Sequence, residues 1–145
     1  MKREPIYQAV FDLAKSNLSG IKNYSRRLKL EGAFPSVEMP ALFQVQQEEN
    51  PTQHQKLPTK WDILLHWVFY FSSGLDNNYV ISTDINNAMD EVEAIFLPNP
   101  GTGIQNLGIA NVSHAWMGRV QISEGILGES AVVLVPIAIL VSGQK

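Results

Sequence analysis

The sequence predicts an α+β fold, a single mixed and mainly antiparallel sheet of about five strands with two helices packed on one face. The first observation behind this prediction is the run Trp61–Phe71, in which large apolar side chains occupy every second position. The second is a pair of segments, 6–14 and 85–96, whose apolar residues recur at helical spacing. The third is that the other apolar segments alternate with a period of two between turn residues. With 145 residues, 45% of them apolar, the chain has the length and core material of one domain spanning 1–145.

The central strand is predicted over Trp61–Phe71. In an extended chain one face carries the largest side chains, namely Trp61, Ile63, Leu65, Trp67, Phe69 and Phe71. The other face is half polar, with Asp62, Leu64, His66, Val68 and Tyr70. A helix would also place Asp62 and His66 on one stripe, but Pro58 before the run and the crowding of aromatic residues favour a strand. We expect the half-polar face to be covered partly by side chains and partly by water or another subunit.

Two amphipathic helices are predicted to pack on this sheet. The first begins near Pro5, because proline suits the first turn of a helix, and it ends at Ser16–Gly20. The second is the more regular, and Ser82, Thr83 and Asp84 are candidate caps at its start. Its apolar stripe comprises Ile85, Ala88, Met89, Val92, Ile95 and Phe96.

Shorter strands are predicted before and after the central one. Ser25–Leu30 and Ala41–Gln46 alternate between apolar and polar residues, and a solvated loop is predicted over Gln47–Lys56. Val112–Ser123 is predicted as one strand that turns back into an antiparallel last strand. The alternation places on one face Val112, His114, Trp116, Val120 and Ile122, and on the other face Ser113, Met117, Arg119, Gln121 and Ser123.

The last strand is predicted over Ala131–Val141. Pro136 lies in the middle of it, and proline cannot donate a hydrogen bond to a sheet. The strand is therefore predicted to lie at an edge or to carry a bulge. A bare apolar edge invites aggregation, so we expect another subunit to cover it.

Composition excludes several classes of function. The formal net charge of −3 argues against electrostatic binding of nucleic acid, since binding to phosphates requires clustered Lys and Arg. The absence of cysteine excludes a disulfide framework and a thiolate metal site. The N-terminus has no apolar run typical of a signal peptide, and Ala131–Val141 is shorter than the roughly 20 residues that span a bilayer. We expect a soluble, cytoplasmic protein without a membrane partner.

No pattern in the chain indicates a metal or catalytic site. His54, His66 and His114 have no helical metal-binding spacing. Asp62 and His66 could share a strand face with Ser72 or Ser113 as a nucleophile, but no serine lies in a nucleophile elbow. We therefore predict no catalytic residues, no metal ligands and no cofactor.

Three other clusters have ordinary interpretations. The glycines of Gly101–Gly103 and Gly108 follow a helix and no Gly-Lys-Ser/Thr comes after them, so a plain loop is favoured over a phosphate loop. Asp90, Glu91 and Glu93 are predicted to fan over the solvated face of the second helix. The basic cluster of Lys22, Arg26, Arg27 and Lys29 is too small to read nucleic acid and could pair with acidic residues of a neighbouring subunit.

Five segments spread over nearly the whole chain carry a family resemblance: Lys2–Tyr7, Ser25–Lys29, Pro40–Phe43, Leu57–Trp61 and Leu127–Val141. Together they resemble the tail terminators, small proteins of tailed bacteriophages and prophages that are similar to the minor tail protein U of phage lambda. None of the segments is a catalytic signature, so the resemblance rests on their co-linear pattern.

The resemblance implies a structural virion protein, not an enzyme, that assembles as a hexameric ring. Such a ring stops polymerisation of the tail tube at its head-proximal end and joins the tail to the head or neck. Its partners would be other copies of the chain, the tail tube protein and a head-completion or neck protein, while DNA passes through the lumen without specific binding. The family has no cofactor.

Candidate residues for subunit or partner contacts are Arg26, Arg27, Asp62, His66 and Pro136. For each of them an ordinary surface or core role is the alternative. Another neck protein, such as a connector or head-completion subunit, would share this composition. A monomeric ligand-binding domain is a further alternative, and an enclosed apolar pocket behind Trp61, Trp67 and Trp116 would favour it. An enzyme would require a cleft with a perturbed carboxylate or histidine.

Overall fold

The computed structural model describes residues 1–29, 35–72, 80–127 and 130–142. Within these ranges two helices and six strands follow one another, and a short 3-10 turn at Ser36–Glu38 precedes the second strand. In chain order these elements are α1 (Arg3–Asn17), β1 (Asn23–Ser25), β2 (Ala41–Thr52), β3 (Lys60–Ser72), α2 (Ile81–Ile95), β4 (Val112–Met117), β5 (Gln121–Leu127) and β6 (Ser130–Val141).

The strands form one mixed sheet in the order β1-β2-β3-β6-β4, and β5 also pairs with β6. β1 runs parallel to β2, and every other pairing is antiparallel. The predicted α+β fold is confirmed, with six strands in place of about five. The extra strand arises because the segment predicted as one strand over Val112–Ser123 is divided at Gly118.

The core lies between the sheet and the two helices. The odd-numbered residues from Ile63 to Phe71 in β3 are buried against apolar residues of α1 and α2, as the alternation predicts. Trp67 is completely buried, and its ring nitrogen donates to the side-chain oxygen of Gln44 at 3.0 Å. The amide of Gln44 donates in turn to the backbone carbonyl of Tyr7 at 2.9 Å, which links α1 to the sheet. Each large apolar side chain in this core stabilises the fold by about 1.5–3 kcal/mol.

Both helices present the predicted apolar stripes to the sheet. α1 buries Ile6, Tyr7, Val10, Phe11 and Ala14. α2 buries Ile85, Ala88 and Val92, and Phe96 at its C-cap is also buried. α2 begins at Ile81, before the predicted caps, and Val80 at its N-cap makes no side-chain capping hydrogen bond. Burial of the stripe therefore determines this helix more than capping does.

The prediction that the last strand is an edge is wrong. β6 lies inside the sheet, with β3 on one side and β4 and β5 on the other. Opposing residues of an antiparallel pair alternate between exchanging both backbone hydrogen bonds and exchanging none. Pro136 lies opposite His66, and a residue without an N–H suits a position that exchanges none. On its other side the Pro136 carbonyl accepts from the N–H of Gly118 at 2.7 Å, in the gap between β4 and β5.

Two boundaries near the first strands also differ from the prediction. β2 continues to Thr52 through much of the predicted loop Gln47–Lys56, because a bulge at Gln47 lets the polar residues stay paired with β3. β1 is limited to Asn23–Ser25, where it pairs with the start of β2. Leu30, at the end of the predicted first strand, lies outside the described residues.

A second bulge reverses the faces predicted for β4. Val112 pairs with Val141 but His114 pairs with Leu140, so Ser113 is an extra residue in the ladder. A shift of one residue moves every following side chain to the other face. Ala115 therefore faces the core with Val112, while His114 and Trp116, predicted to share a face with Val112, lie on the opposite face of the sheet.

Candidate interaction surfaces

We call the face of the sheet opposite the helices the open face. One half of it is covered by other parts of the chain, and the other half is uncovered. In the covered half, Met39 and the start of β2 pack on β3 in a second small core of Met39, Ala41, Phe43, Val68 and Tyr70. The Tyr70 hydroxyl donates to the backbone carbonyl of Lys29 at 2.6 Å, which fixes the chain before β2 at this end of the face. The half-polar face predicted for β3 is thus partly covered by the protein itself.

The uncovered half lies at the other end of β3 and extends across β6 to β4. We call it the open patch, and it consists of Asp62, Leu64, His66, Trp116, Pro136, Ala138 and Leu140. Its side chains are exposed or only partly buried in the single chain. The Trp116 ring is 41% exposed and stacks on His114 with the ring centroids 5.5 Å apart. A contiguous apolar surface rimmed by polar residues is typical of a protein–protein contact.

A groove of about 150 Å³ runs across the open patch. Leu64, Ala138, Leu140 and Trp116 form its apolar walls, and Asp62 and Asn50 lie at its rim. Glu48, which pairs with Leu64, is exposed beside it and accepts from the amide of Asn50 at 3.3 Å. The groove therefore combines an apolar floor with an acidic rim.

Asp62, His66 and Pro136, three of the predicted contact residues, lie together on the open patch. Asp62 is exposed opposite Leu140, and His66 is partly buried opposite Pro136. Burial lowers the pKa of His66 below its ordinary value of 6.5, because the protein interior solvates the imidazolium poorly. His66 is therefore a neutral, largely apolar part of this surface at neutral pH.

Arg26 and Arg27 lie elsewhere, in a bend after β1. Arg26 forms an ion pair with Glu4 and donates to the side-chain oxygen of Gln8 at 3.1 Å, so it binds the bend to α1. Its hydrogen bond lowers the pKa of the Glu4 carboxyl. Arg27 is exposed, and Leu28 beside it is 45% exposed. We call Arg27 and Leu28 the basic bend.

A partly exposed polar cluster on the helix face has a structural role. Glu49 of β2 accepts hydrogen bonds from the Tyr7 hydroxyl at 2.7 Å and from the Arg3 guanidinium at 2.6 Å. Arg3 also lies 5.0 Å from the centre of the Trp61 ring. Glu91 similarly accepts from the backbone N–H and the hydroxyl of Ser19, so it holds the chain after α1 and is more than part of a solvated helix face.

The described part of the chain does not assemble the chemical sites considered above. No group of three or more His, Asp or Glu side chains there could hold a metal ion. The Ser113 hydroxyl donates to the Leu140 carbonyl at 3.2 Å and not to a histidine. The region around Gly101–Gly103 forms the predicted loop, in which the Gly103 N–H bonds to the Asn99 carbonyl at 2.7 Å. No helix within the described ranges is long and apolar enough to cross a membrane.

The three tryptophans do not line one cavity. Trp67 faces the helices and packs on Phe96 with the ring centroids 5.7 Å apart, whereas Trp116 lies on the open face. Trp61 is partly buried beside Arg3. These three tryptophans therefore do not form the enclosed apolar pocket that would favour a ligand-binding domain.

The sequence does not show which apolar side chains lie uncovered on the open patch. The alternation predicts Trp116 on the same face as Val112, because the bulge at Ser113 has no sequence signal that distinguishes it from a regular strand residue. Leu140 and Ala138 belong to a continuously apolar strand, and nothing in such a run indicates which face stays uncovered. Only the alternation in β3 placed Leu64 correctly between Asp62 and His66.

No protein-family model matches the chain, and no curated protein matches it either. Among solved structures, its fold is similar to that of a chain in the virion of a native gene transfer agent particle, with a TM-score of 0.60. The similarity covers 95% of this chain and 95% of that chain. The two sequences are 10% identical, so the likeness is one of fold.

Proposed function

We propose that this chain is a structural virion protein of a tailed, phage-like particle, and specifically a tail terminator. The observation that carries the proposal is the fold likeness to a virion chain over nearly the full length of both proteins. The co-linear segments that resemble tail terminators support the finer assignment. The protein acts by shape and adhesion, without a catalytic residue or a cofactor.

In this proposal six copies close into a ring through head-to-tail contacts. The ring caps the tail tube at its head-proximal end, prevents further addition of tube subunits and offers its other side to a head-completion or neck protein. The uncovered apolar open patch supports an assembling subunit, because a monomer rarely leaves such a surface bare. The formal net charge of −3 suits a lumen through which DNA slides without being held.

The proposal is tested by the mass of the purified protein in solution, measured by light scattering and sedimentation with and without isolated tail tubes. A hexamer, or a monomer that forms a ring only when tubes are added, is the expected result. Tubes assembled in the presence of the protein should also stop growing at the capped end, as electron microscopy would show. A protein that remains monomeric and ignores tubes would contradict the proposal. A ring that binds a connector but not tubes would indicate a different neck protein.

A further inference from the structure

Two surfaces near opposite edges of the sheet have complementary chemistry. We propose that the basic bend of one copy docks into the open patch of the next copy, with Leu28 in the groove beside Leu64 and Arg27 against Asp62. The inference rests on the ring of the proposed function and names the contact that would build it.

The receiving surface has the size and polarity for one aliphatic side chain. The groove of about 150 Å³ has a floor of Leu64, Ala138 and Leu140. An apolar cavity of about 150 Å³ is large enough to accept a benzene molecule. Asp62 provides negative charge among the residues that line the groove, while Glu48 beside Leu64 and Lys60 one pleat beyond Asp62 both lie outside that lining. A docked leucine would bury apolar area here without burying an unpaired charge.

The inserting surface is an exposed leucine beside an exposed cation. Leu28 is 45% exposed, and Arg27 next to it is exposed as well. The bend that presents them is tied to the subunit by the surface ion pair of Arg26 with Glu4, by a hydrogen bond from the Arg27 N–H to the Ser25 hydroxyl at 2.9 Å, and by the Tyr70 hydroxyl, which donates to the Lys29 carbonyl. A preformed element loses little conformational freedom on binding, which favours it as an anchor.

The positions of the two surfaces favour a contact between copies. The bend is fixed near Tyr70 and the outer strand β1, whereas the groove lies near Asp62 and extends to β4. Along β3, Asp62 and Tyr70 are separated by roughly 26 Å. A contact that joins two different surfaces of identical copies is heterologous, and it closes into a ring when the rotation between neighbours permits.

A second exposed leucine, Leu57, competes as the occupant of the groove. It lies beside Lys56 in the loop between β2 and β3 and is 57% exposed. This loop joins Thr52 to Lys60, at the ends of β2 and β3 that lie on the groove's own side of the sheet, and not at the opposite edge. The basic bend at the β1 edge is therefore the favoured occupant for a lateral neighbour.

Disulfide cross-linking between two single-cysteine variants tests the contact, since the chain has no cysteine of its own. Leu28→Cys and Leu64→Cys chains are mixed under conditions that give the ring and then oxidised. A disulfide between two different variants can only join separate chains, so a cross-linked dimer is the expected product. Leu28→Cys mixed with Glu93→Cys, on the exposed side of α2, is the matched control and should remain uncrosslinked.

Rings that assemble without a 28–64 cross-link would overturn the contact and leave the tail-terminator proposal intact. Cross-linking of Leu57→Cys to Leu64→Cys in its place would assign the groove to the loop between β2 and β3. A chain that never self-associates, with or without tubes, would overturn both proposals.

A second test exchanges the charges of Asp62 and Arg27, which are both exposed in the single chain. Asp62→Arg should raise the concentration at half-assembly at least about tenfold, because Arg27 of the neighbour then meets a like charge. Combining it with Arg27→Asp should recover most of that loss. If the double variant assembles no better than Asp62→Arg, these two residues do not meet.

Discussion

At the scale of single residues, Glu49 connects α1 to the sheet through two hydrogen bonds. Burial by itself would raise the pKa of its carboxyl, but the hydrogen bonds from Tyr7 and Arg3, with the Arg3 charge, outweigh burial and lower it. Burial first, and then the neighbouring carboxylate, raise the pKa of the Tyr7 hydroxyl, so this group remains a neutral donor. The ionised Glu49 is therefore the form that the folded protein favours.

This arrangement predicts an acid-sensitive contribution to stability. Because the folded pKa of Glu49 lies below its unfolded value of 4.5, its contribution is present above about pH 4.5 and is lost as the pH falls through the folded pKa. Glu49→Gln should lower the free energy of unfolding at neutral pH and reduce its decline in acid, as urea denaturation at several pH values would show. Glu93→Gln, an exposed change of the same charge, is the control. Identical pH profiles for the two variants would contradict the assignment.

A second effect of pH on stability, in a higher pH range, is expected from His66. Its folded pKa is below the unfolded value of 6.5 because the side chain is partly buried, so the unfolded chain binds the proton more readily. The stability from neutral His66 is complete above about pH 6.5 and falls as the pH decreases toward the folded pKa. His66→Gln should flatten the unfolding free energy between about pH 7 and about pH 5, whereas His54→Gln, in an exposed loop, should not. An unchanged slope for His66→Gln would show that another group titrates in this range.

At the scale of elements, long periodic segments could be predicted from the sequence and single-residue irregularities could not. The stripes of α1 and α2 and the alternation of β3 extend over enough residues to be distinctive. The bulges at Gln47 and Ser113 each involve one residue, yet each changes the pairing or the face of everything that follows. The sequence of β6 predicts an edge strand at Pro136, but a proline is tolerated there because β4 and β5 leave a gap beside it, and that gap depends on other strands.

Gly118 in that gap supports a prediction about packing. A Cβ atom at Gly118 would lie 3.3 Å from the Cβ of Pro136, in the middle of the sheet. Because β6 is held on both sides, neither group can move away easily. Gly118→Val should therefore destabilise the fold by about 1–3 kcal/mol, and Gly118→Ala by less, as thermal or urea unfolding would measure.

Gly101 provides the matched control for this close approach. A Cβ there would also meet an atom at 3.3 Å, but that atom is the side-chain oxygen of Asn99 in an exposed loop. Turning this side chain aside breaks only the exposed 2.8 Å hydrogen bond that it accepts from the Gly101 N–H, so Gly101→Ala should cost no more than about 1 kcal/mol and less than Gly118→Ala. Equal costs for alanine at both positions would mean that β6 accommodates the new methyl group as easily as a loop does.

At the scale of the whole molecule, the candidate site could be predicted only in part. Asp62 and His66 were placed on one face because strand alternation is a local rule. Trp116 and Leu140 joined them through sheet order and a bulge, which depend on contacts between distant parts of the chain. Arg26 was a reasonable contact candidate by charge, but its ion pair with Glu4 uses that charge within the subunit.

The substitution Trp116→Ala should affect assembly much more than folding. Trp116 is 41% exposed. Replacing a fully buried aromatic residue by alanine typically lowers the free energy of unfolding by about 3–5 kcal/mol, and Trp116→Ala should lower it by less. If the open patch is a subunit contact, the same change removes a large aromatic group from the centre of an interface, where such residues contribute most. We expect the concentration at half-assembly to rise at least about tenfold, measured by sedimentation.

Ile104→Ala controls for the loss of an exposed apolar side chain in general. Ile104 is 48% exposed, a fraction similar to that of Trp116, and it lies in the loop after α2, outside the residues that line the groove. Its replacement should leave assembly unchanged, because a scattered surface residue contributes to neither core nor contact. If both variants assemble like the parent while the ring still forms, the open patch faces another partner, and the tube or the neck protein becomes the surface to test against it. If both variants lose assembly equally, assembly depends on the total exposed apolar area and not on the position of Trp116 in the open patch.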